Sequence, residues 1–336
     1  MSDPNQEFHA PPPPPIIAEP ERRRPTNLMW AGVALFVLGI ILLGVIVAVF
    51  GVAGIAIHAA TGGAICGLGI LLFAFSFIRM PVVDNPPPKM SLVQTLTGIF
   101  FEPTSVFKNL RAHPQFVAAV ILVGLLNGVY VVAFVHRITP EKIINFTVEK
   151  LEESPIKPPP EALAKMRTDG VEQQKSAVTQ VGNVVKAVTG HFFGVAFLAA
   201  VFLVAVLAFG GRMHFWQTYA AVAYMAVPFT IIQKGISFLI LYLKSPDDVH
   251  PLIGQESLVY DNLGLLIAAK DHPVLWVIAT AIGVLSIYRL WLSATGLRES
   301  GYKVSSSAAW GAAITLFVIF LLFGMGIAAI FPSFLG

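Results

Sequence analysis

The chain has 336 residues, 56% of them hydrophobic and only 12% charged, with a mean hydropathy of +0.75. Soluble domains carry roughly 25% charged residues, so half that share, together with long apolar runs, excludes an ordinary soluble globule and places the chain among membrane proteins. A net charge of +3 is too small to point to nucleic acid, and a single cysteine, Cys66, excludes an internal disulfide and a cysteine-based metal site.

Residues 1–27 form a polar tail with the proline run Pro11 to Pro15 and the cluster Arg22, Arg23 and Arg24. This composition predicts a disordered, cytoplasmic, proline-rich segment with polyproline II character. Recruitment of a proline-binding module is the competing reading. No secretory signal peptide is expected, because the first apolar run is too long for an h-region.

Residues 28–80 are expected to form an N-terminal transmembrane hairpin. Its spans run from Leu28 to about Ala53 and from about Ile57 to Ile78, against the ~20 residues a bilayer needs. Gly44 with Ala48, and Gly63 with Gly67, recur at the spacing that lets helices approach closely.

Residues 81–115 hold a linker, with Pro86, Pro87 and Pro88, and then a short amphipathic segment. Glu102-Pro103-Thr104 is a helix start, since proline is tolerated in a first turn. Pro114 closes the segment, because the residue before a proline resists the α region. Val106, Phe107 and Leu110 share one helical face, away from Lys108, Asn109 and Arg111. An aromatic, basic, short helix beside a span is expected to lie in the membrane interface, and an ordinary connector packed on other helices is the alternative. Phe101, Pro103, Phe107 and Leu110 are the candidate contacts for lipid or a partner.

Residues 116–336 are expected to be a five-span core with a soluble helical insertion over 138–190. Its first span runs from Phe116 to His136. In the insertion, Thr139-Pro140-Glu141 starts a helix and the proline run 158–160 breaks it. A second helix is expected from Glu161 toward Val188. The next spans are Phe192 to Phe209 and Thr218 to Leu243, the latter kinked at Pro228. A polar loop from Lys244 to His272 precedes spans from Pro273 to Leu292 and from Ala308 to Phe331. The basic residues Arg79, Lys89, Lys108, Arg111, Arg212, Arg298 and Lys303 fall on one side of this layout. By the positive-inside rule that side is cytoplasmic, with the N-terminus inside and the C-terminus opposite.

Residues from about Gly98 to Phe331 resemble the Yip1-domain family of integral membrane proteins, in its bacterial branch. Phe101-Glu102-Pro103 with Phe107, Leu110 and Pro114 carries the resemblance, as do Thr139-Pro140-Glu141, the run from Tyr219 to Pro228, and the run from Trp291 to Gly301. The resemblance implies a cytoplasmic N-terminus, five core spans and placement in the bacterial cytoplasmic membrane. It also implies kinship with membrane-trafficking factors, and it supplies no catalytic or cofactor residues.

Within the spans, Thr230, Gln233, Lys234 and Ser237 stand at spacings of three and four and form a polar stripe. An ionisable residue inside a span is costly and often functional, which makes the stripe a candidate solute or anion path. Snorkelling of Lys234 toward an outer interface is the alternative. The spans hold no aspartate, the eight histidines form no ligand pair, and no nucleotide or nucleophile motif occurs. The expectation is an all-α polytopic bundle of about seven spans with no enzymatic activity and no cofactor. It would serve as a membrane scaffold or adaptor whose partners are the lipid bilayer and another membrane protein or a second copy, with nucleic acid excluded. A small transporter or channel using the stripe around Lys234 is the alternative.

Overall fold

The computed structural model describes residues 25–83, 85–154 and 157–332, without the side chains of 49–59. The proline-rich tail and its three arginines therefore lie outside the described residues. Among the described residues the fold is helical throughout, with two isolated bridges and no strand.

Helix α1 is assigned from Thr26 to Phe75, yet it folds back on itself. A Cβ added to Gly32 would meet the Phe73 backbone nitrogen at 2.6 Å, and one on Gly69 would meet the Phe36 nitrogen at 2.5 Å. In a straight helix residues 32 and 73 would stand about 60 Å apart. The chain therefore reverses between Ala48 and Ala60, and the two arms pack antiparallel. The small residues that permit this are Gly32, Gly39, Gly62 and Gly69. Gly44 and Gly63 face away from the seam, where an added Cβ meets nothing within 4 Å. The first arm, Thr26–Ala48, is long and apolar enough to cross a membrane, and the second, Ala60–Phe75, is shorter.

The linker leads into α2 (Leu92–Phe101), whose start is fixed by a reciprocal cap. Ser91 Oγ accepts from the Gln94 amide at 3.2 Å, and Gln94 Oε1 accepts from the Ser91 amide at 2.9 Å. The chain turns at Glu102 into α3 (Pro103–Ala112), with Pro103 in its first turn. Helix α4 (Val117–Ile138) follows. It joins α5 (Pro140–Glu153) through Thr139, which holds a left-handed φ of 75°.

Helices α5 and α6 (Pro160–Lys175) pair outside the spans through Ile144, Val148 and Leu163. The second insertion helix does not run on toward Val188. Ser176 interrupts it, and α7 (Ala177–Ala208) then continues unbroken into the bundle. Gly124 and Gly128 of α4 lie against the Cα atoms of Val188 and Val184, where added Cβ atoms would stand 2.6 and 2.9 Å away, so α4 and α7 pack at close range.

Helix α8 (Phe215–Leu243) carries the buried Pro228. That residue has no N–H to offer the carbonyl of Tyr224. The following loop contains the short helix α9 (Ile253–Glu256) and a 3₁₀ turn at Leu263–Leu266. The single span expected from Pro273 to Leu292 is two helices, α10 (Pro273–Thr280) and α11 (Val284–Ser300). The break at Ala281 to Gly283 is held by the loop: Asp261 Oδ2 accepts from the Leu285 amide at 2.6 Å, and Asn262 bridges to Gly283. Helix α12 (Ser306–Ile330) ends the fold. Among the described residues, five stretches are long and apolar enough to span a membrane: Thr26–Ala48, α4, α7, α8 and α12.

Lys108, Arg111, Arg212, Arg298 and Lys303 gather at one end, the basic end, while Lys142, Lys150, Arg167 and Lys175 belong to the insertion on the other side. There the backbones of Arg212 and Lys303 pair, Gln217 reaches the Arg111 carbonyl at 3.0 Å, and Lys108 faces Glu299 at 3.9 Å. The main core lies near this end. Phe75 of the hairpin meets the rings of Phe215, Trp216 and Tyr219 at centroid distances of 5.1 to 5.6 Å. Trp216 Nε1 donates to the Ile78 carbonyl at 3.0 Å. The hairpin thus packs directly on the core.

Candidate functional site

Three places concentrate the residues that the sequence singles out. The first is the elbow between α2 and α3. Val106, Phe107 and Leu110 are fully buried, so the apolar face of α3 meets protein. The physical reason is Gly296 of α11: its missing side chain admits the Phe107 ring, which an added Cβ would meet at 3.0 Å. Polar contacts lock the elbow. Asn109 Nδ2 donates to the Pro88 carbonyl at 2.8 Å and its Oδ1 accepts from the Met90 amide at 3.2 Å. Ser300 Oγ donates to the Phe107 carbonyl at 3.3 Å. The four candidate contacts therefore separate. Phe107 and Leu110 belong to the core, Pro103 is half-buried, and Phe101 stands 85% exposed. Beside Phe101 lies a surface groove of 780 Å³ lined by Pro87, Met90, Gln94, Gly98 and Glu102.

The second place is the far end of α8, where the polar stripe divides. Lys234 and Ser237 turn toward the loop. Lys234 is 5% exposed, its Nζ donates to the Glu256 carbonyl, and the same atom stands 4.3 Å from the Tyr130 ring centroid. Its charge is therefore met by a carbonyl and an aromatic face inside the fold. Ser237 Oγ accepts from the Leu258 amide at 3.0 Å, and Tyr130 donates to the Gly254 carbonyl at 2.7 Å. Together these groups latch α9 and its flanks onto α4 and α8. His250 shapes the same loop: its Nδ1 accepts from the Leu252 and Ile253 amides at 3.2 and 3.1 Å, and its ring meets Phe146. Burial, with nearby Lys150 adding to it, holds the His250 imidazole below its ordinary pKa.

Thr230 and Gln233 form the other half of the stripe and face the third place, a cavity of 470 Å³ between α4, α7, α8 and α11. A second cavity of 420 Å³ adjoins it toward α10 and α12. The two share Leu198, Phe202, Arg289 and Ser293. In the sequence Arg289 sits near one end of an expected span. In the structure α11 continues to Ser300, and the Arg289 guanidinium lies 5.5 Å from the ring centroid of Phe229. Phe229 is fourteen residues from either end of α8, so Arg289 stands level with the middle of the bundle, on an exposed side of α11. An arginine at a helix centre costs about 2.5–3.5 kcal/mol on insertion scales. This position escapes sequence reasoning because it depends on where α11 ends and on which helix it crosses.

Among the described residues, no three His, Cys, Asp or Glu side chains are grouped to hold a metal ion. Helix lengths and apolar composition define a multi-pass membrane helix bundle. The family model of the Yip1 domain matches residues 97–328, from the last turns of α2 almost to the end of α12. The chain belongs to the Yip1-domain family. No curated protein and no solved structure matches it.

Proposed function

We propose that this protein is a non-enzymatic membrane scaffold or adaptor that acts by contact, with the α2–α3 elbow as its docking point. The observation that carries this reading is the mounting of Phe101. A large apolar side chain, 85% exposed, projects beside a groove from a segment that Asn109, Ser300 and Gly296 fix to the core. An exposed aromatic on a rigid support is suited to anchoring a partner, because little ordering entropy is lost on binding. The partner would be another membrane protein or a second copy, with lipid covering the remaining apolar faces. Membership of the family adds an association with membrane organisation, which fold alone does not establish.

In this reading the hairpin of residues 28–80 contributes two spans and the Yip1 core five, with α10 and α11 together making one. The basic end faces the cytoplasm of a bacterial cell, as does the N-terminus, and the C-terminus lies opposite. Cysteines introduced at Lys89 and Asp247 in a Cys66→Ala background should be labelled from opposite sides of the membrane; labelling from one side would overturn the topology. The docking role is tested by crosslinked purification from native membranes. Phe101→Glu should remove a reproducible partner while leaving the melting temperature unchanged, and an unaltered partner set would overturn it.

A further inference from the structure

Three features remain outside that reading: the Lys234 latch, the Asp261 cap of α11 and the cleft around Arg289. The latch and the cap are internally satisfied and have structural roles. The cleft is not satisfied. Among the described residues the Arg289 guanidinium has no carboxylate within ion-pair reach and no hydrogen bond, and it stands over the Phe229 ring. Guanidinium stays charged at every physiological pH. A permanent cation at mid-depth, with no counter-ion from its own chain, calls for an anion from elsewhere.

The walls around it point the same way. His191, Asn127, Thr230 and Gln233 line the cavity on the Arg289 side. The Nε2 atom of His191 is buried without a hydrogen-bond partner, and Gln233 makes no side-chain hydrogen bond among the described residues. No Asp or Glu lines either cavity. The result is a chamber that offers hydrogen-bond donors and one positive charge. The neighbouring chamber is also mostly apolar and adds only the Thr280 and Ser286 hydroxyls to the polar groups the two share. Beyond the shared Arg289 and Ser293, its walls include Val277, Leu316, Phe317 and Phe320. Each volume falls within the ~300–1,000 Å³ of ordinary ligand pockets. Two mostly apolar chambers meet at a single arginine, and the polar side chains His191, Asn127, Thr230 and Gln233 edge one of them, which gives the layout of a head and a tail.

We propose that this cleft binds a membrane lipid with an anionic phosphate headgroup, its phosphate on Arg289 and an acyl chain in the apolar cavity beside α10 and α12. Arginine suits phosphate because its fork of N–H donors can engage two oxygens at once. A free phosphate would satisfy the charge but leave the apolar chamber unused, which is why a lipid is favoured over a soluble anion. The proposal goes beyond the docking role of Phe101 and does not depend on it.

The test uses the full chain in zwitterionic nanodiscs or mild detergent, with native mass spectrometry to count bound lipid. Phosphatidylglycerol and phosphatidylcholine of matched chains are compared, with water-soluble glycerol phosphate as competitor. Phosphatidylglycerol should be retained at least tenfold better than phosphatidylcholine, and Arg289→Gln should abolish that preference while Arg289→Lys restores part of it. Glycerol phosphate should not displace the lipid. Ser286→Phe, which narrows the apolar chamber and leaves the charge intact, should also lower retention, and it serves if Arg289→Gln does not fold. Equal retention of both lipids, unchanged retention in Arg289→Gln or Ser286→Phe, or displacement by glycerol phosphate would each overturn the proposal.

Discussion

Helices α8 and α11 meet at two levels, and the two meetings differ in kind. Toward the basic end, Gly296 of α11 and Met225 of α8 close around the Phe107 ring, and the Met225 and Phe107 side chains are buried. Three and seven residues before Gly296 in α11, Ser293 and Arg289 face Thr230 and Phe229 across open cavities. The helices are the same, so the difference comes from a third element. Helix α3 inserts its apolar face at the first level and stops, and nothing in the described chain replaces it at the second. Where the chain supplies its own filler, the contact stabilises the fold. Where it leaves a cation and a cavity, the contact is available to an outside molecule.

That contrast can be sharpened by removing the filler. Phe107→Ala should cost about 3–5 kcal/mol, the usual range for emptying a buried aromatic site. A large fall in melting temperature in detergent would be the readout, and a change within error would mean that α3 does not close the core. The next largest effect is expected at the latch. Lys234→Met leaves the Glu256 carbonyl without its donor, which costs about 1–3 kcal/mol for an unsatisfied buried group. Hydrogen exchange should then quicken in residues 253–258 while α3 stays protected. Equal quickening in both places would show that the loop and the core are one cooperative unit.

A smaller effect is expected from pH. The His250 imidazole is held below its ordinary pKa of about 6.5, so its contribution to loop stability is fully present above that value. It should be lost as pH falls from about 6.5 through the lower pKa of the folded loop, because protonation competes with the two amides that donate to Nδ1. Exchange at Leu252 and Ile253 should rise over that interval, and His250→Ala should flatten the dependence. A pH-independent exchange rate in the unaltered protein would contradict it. The smallest effect on stability belongs to Phe101→Glu, within about 0.5 kcal/mol as for other exposed positions.

Much of the helical order is legible in the chain because it rests on local signals. Pro103 and Pro140 open α3 and α5 as first-turn prolines do, and the hairpin and core helices announce themselves by apolar length. What is not legible depends on partners distant in sequence. The face of α3 is amphipathic whether it meets lipid or protein, and only Gly296, nearly two hundred residues away, decides for protein. The stripe on α8 looks continuous from spacing alone. Tyr130 and the Glu256 carbonyl draw Lys234 to the loop, while Thr230 and Gln233 turn to the cavity. The break between α10 and α11 has a weak local sign in Gly283, but its cause is Asp261, which caps α11 from across the loop.

The rigidly mounted Phe101 is the proposed point of contact with a partner. Site-specific photocrosslinking tests it most directly, with a benzophenone amino acid at position 101 and, as a control, at the equally exposed Leu243 at the opposite end of α8. Position 101 should yield a discrete protein adduct in native membranes, either a second copy or one other membrane protein, and position 243 should yield none. The same adducts at both positions, or none at 101, would contradict the account.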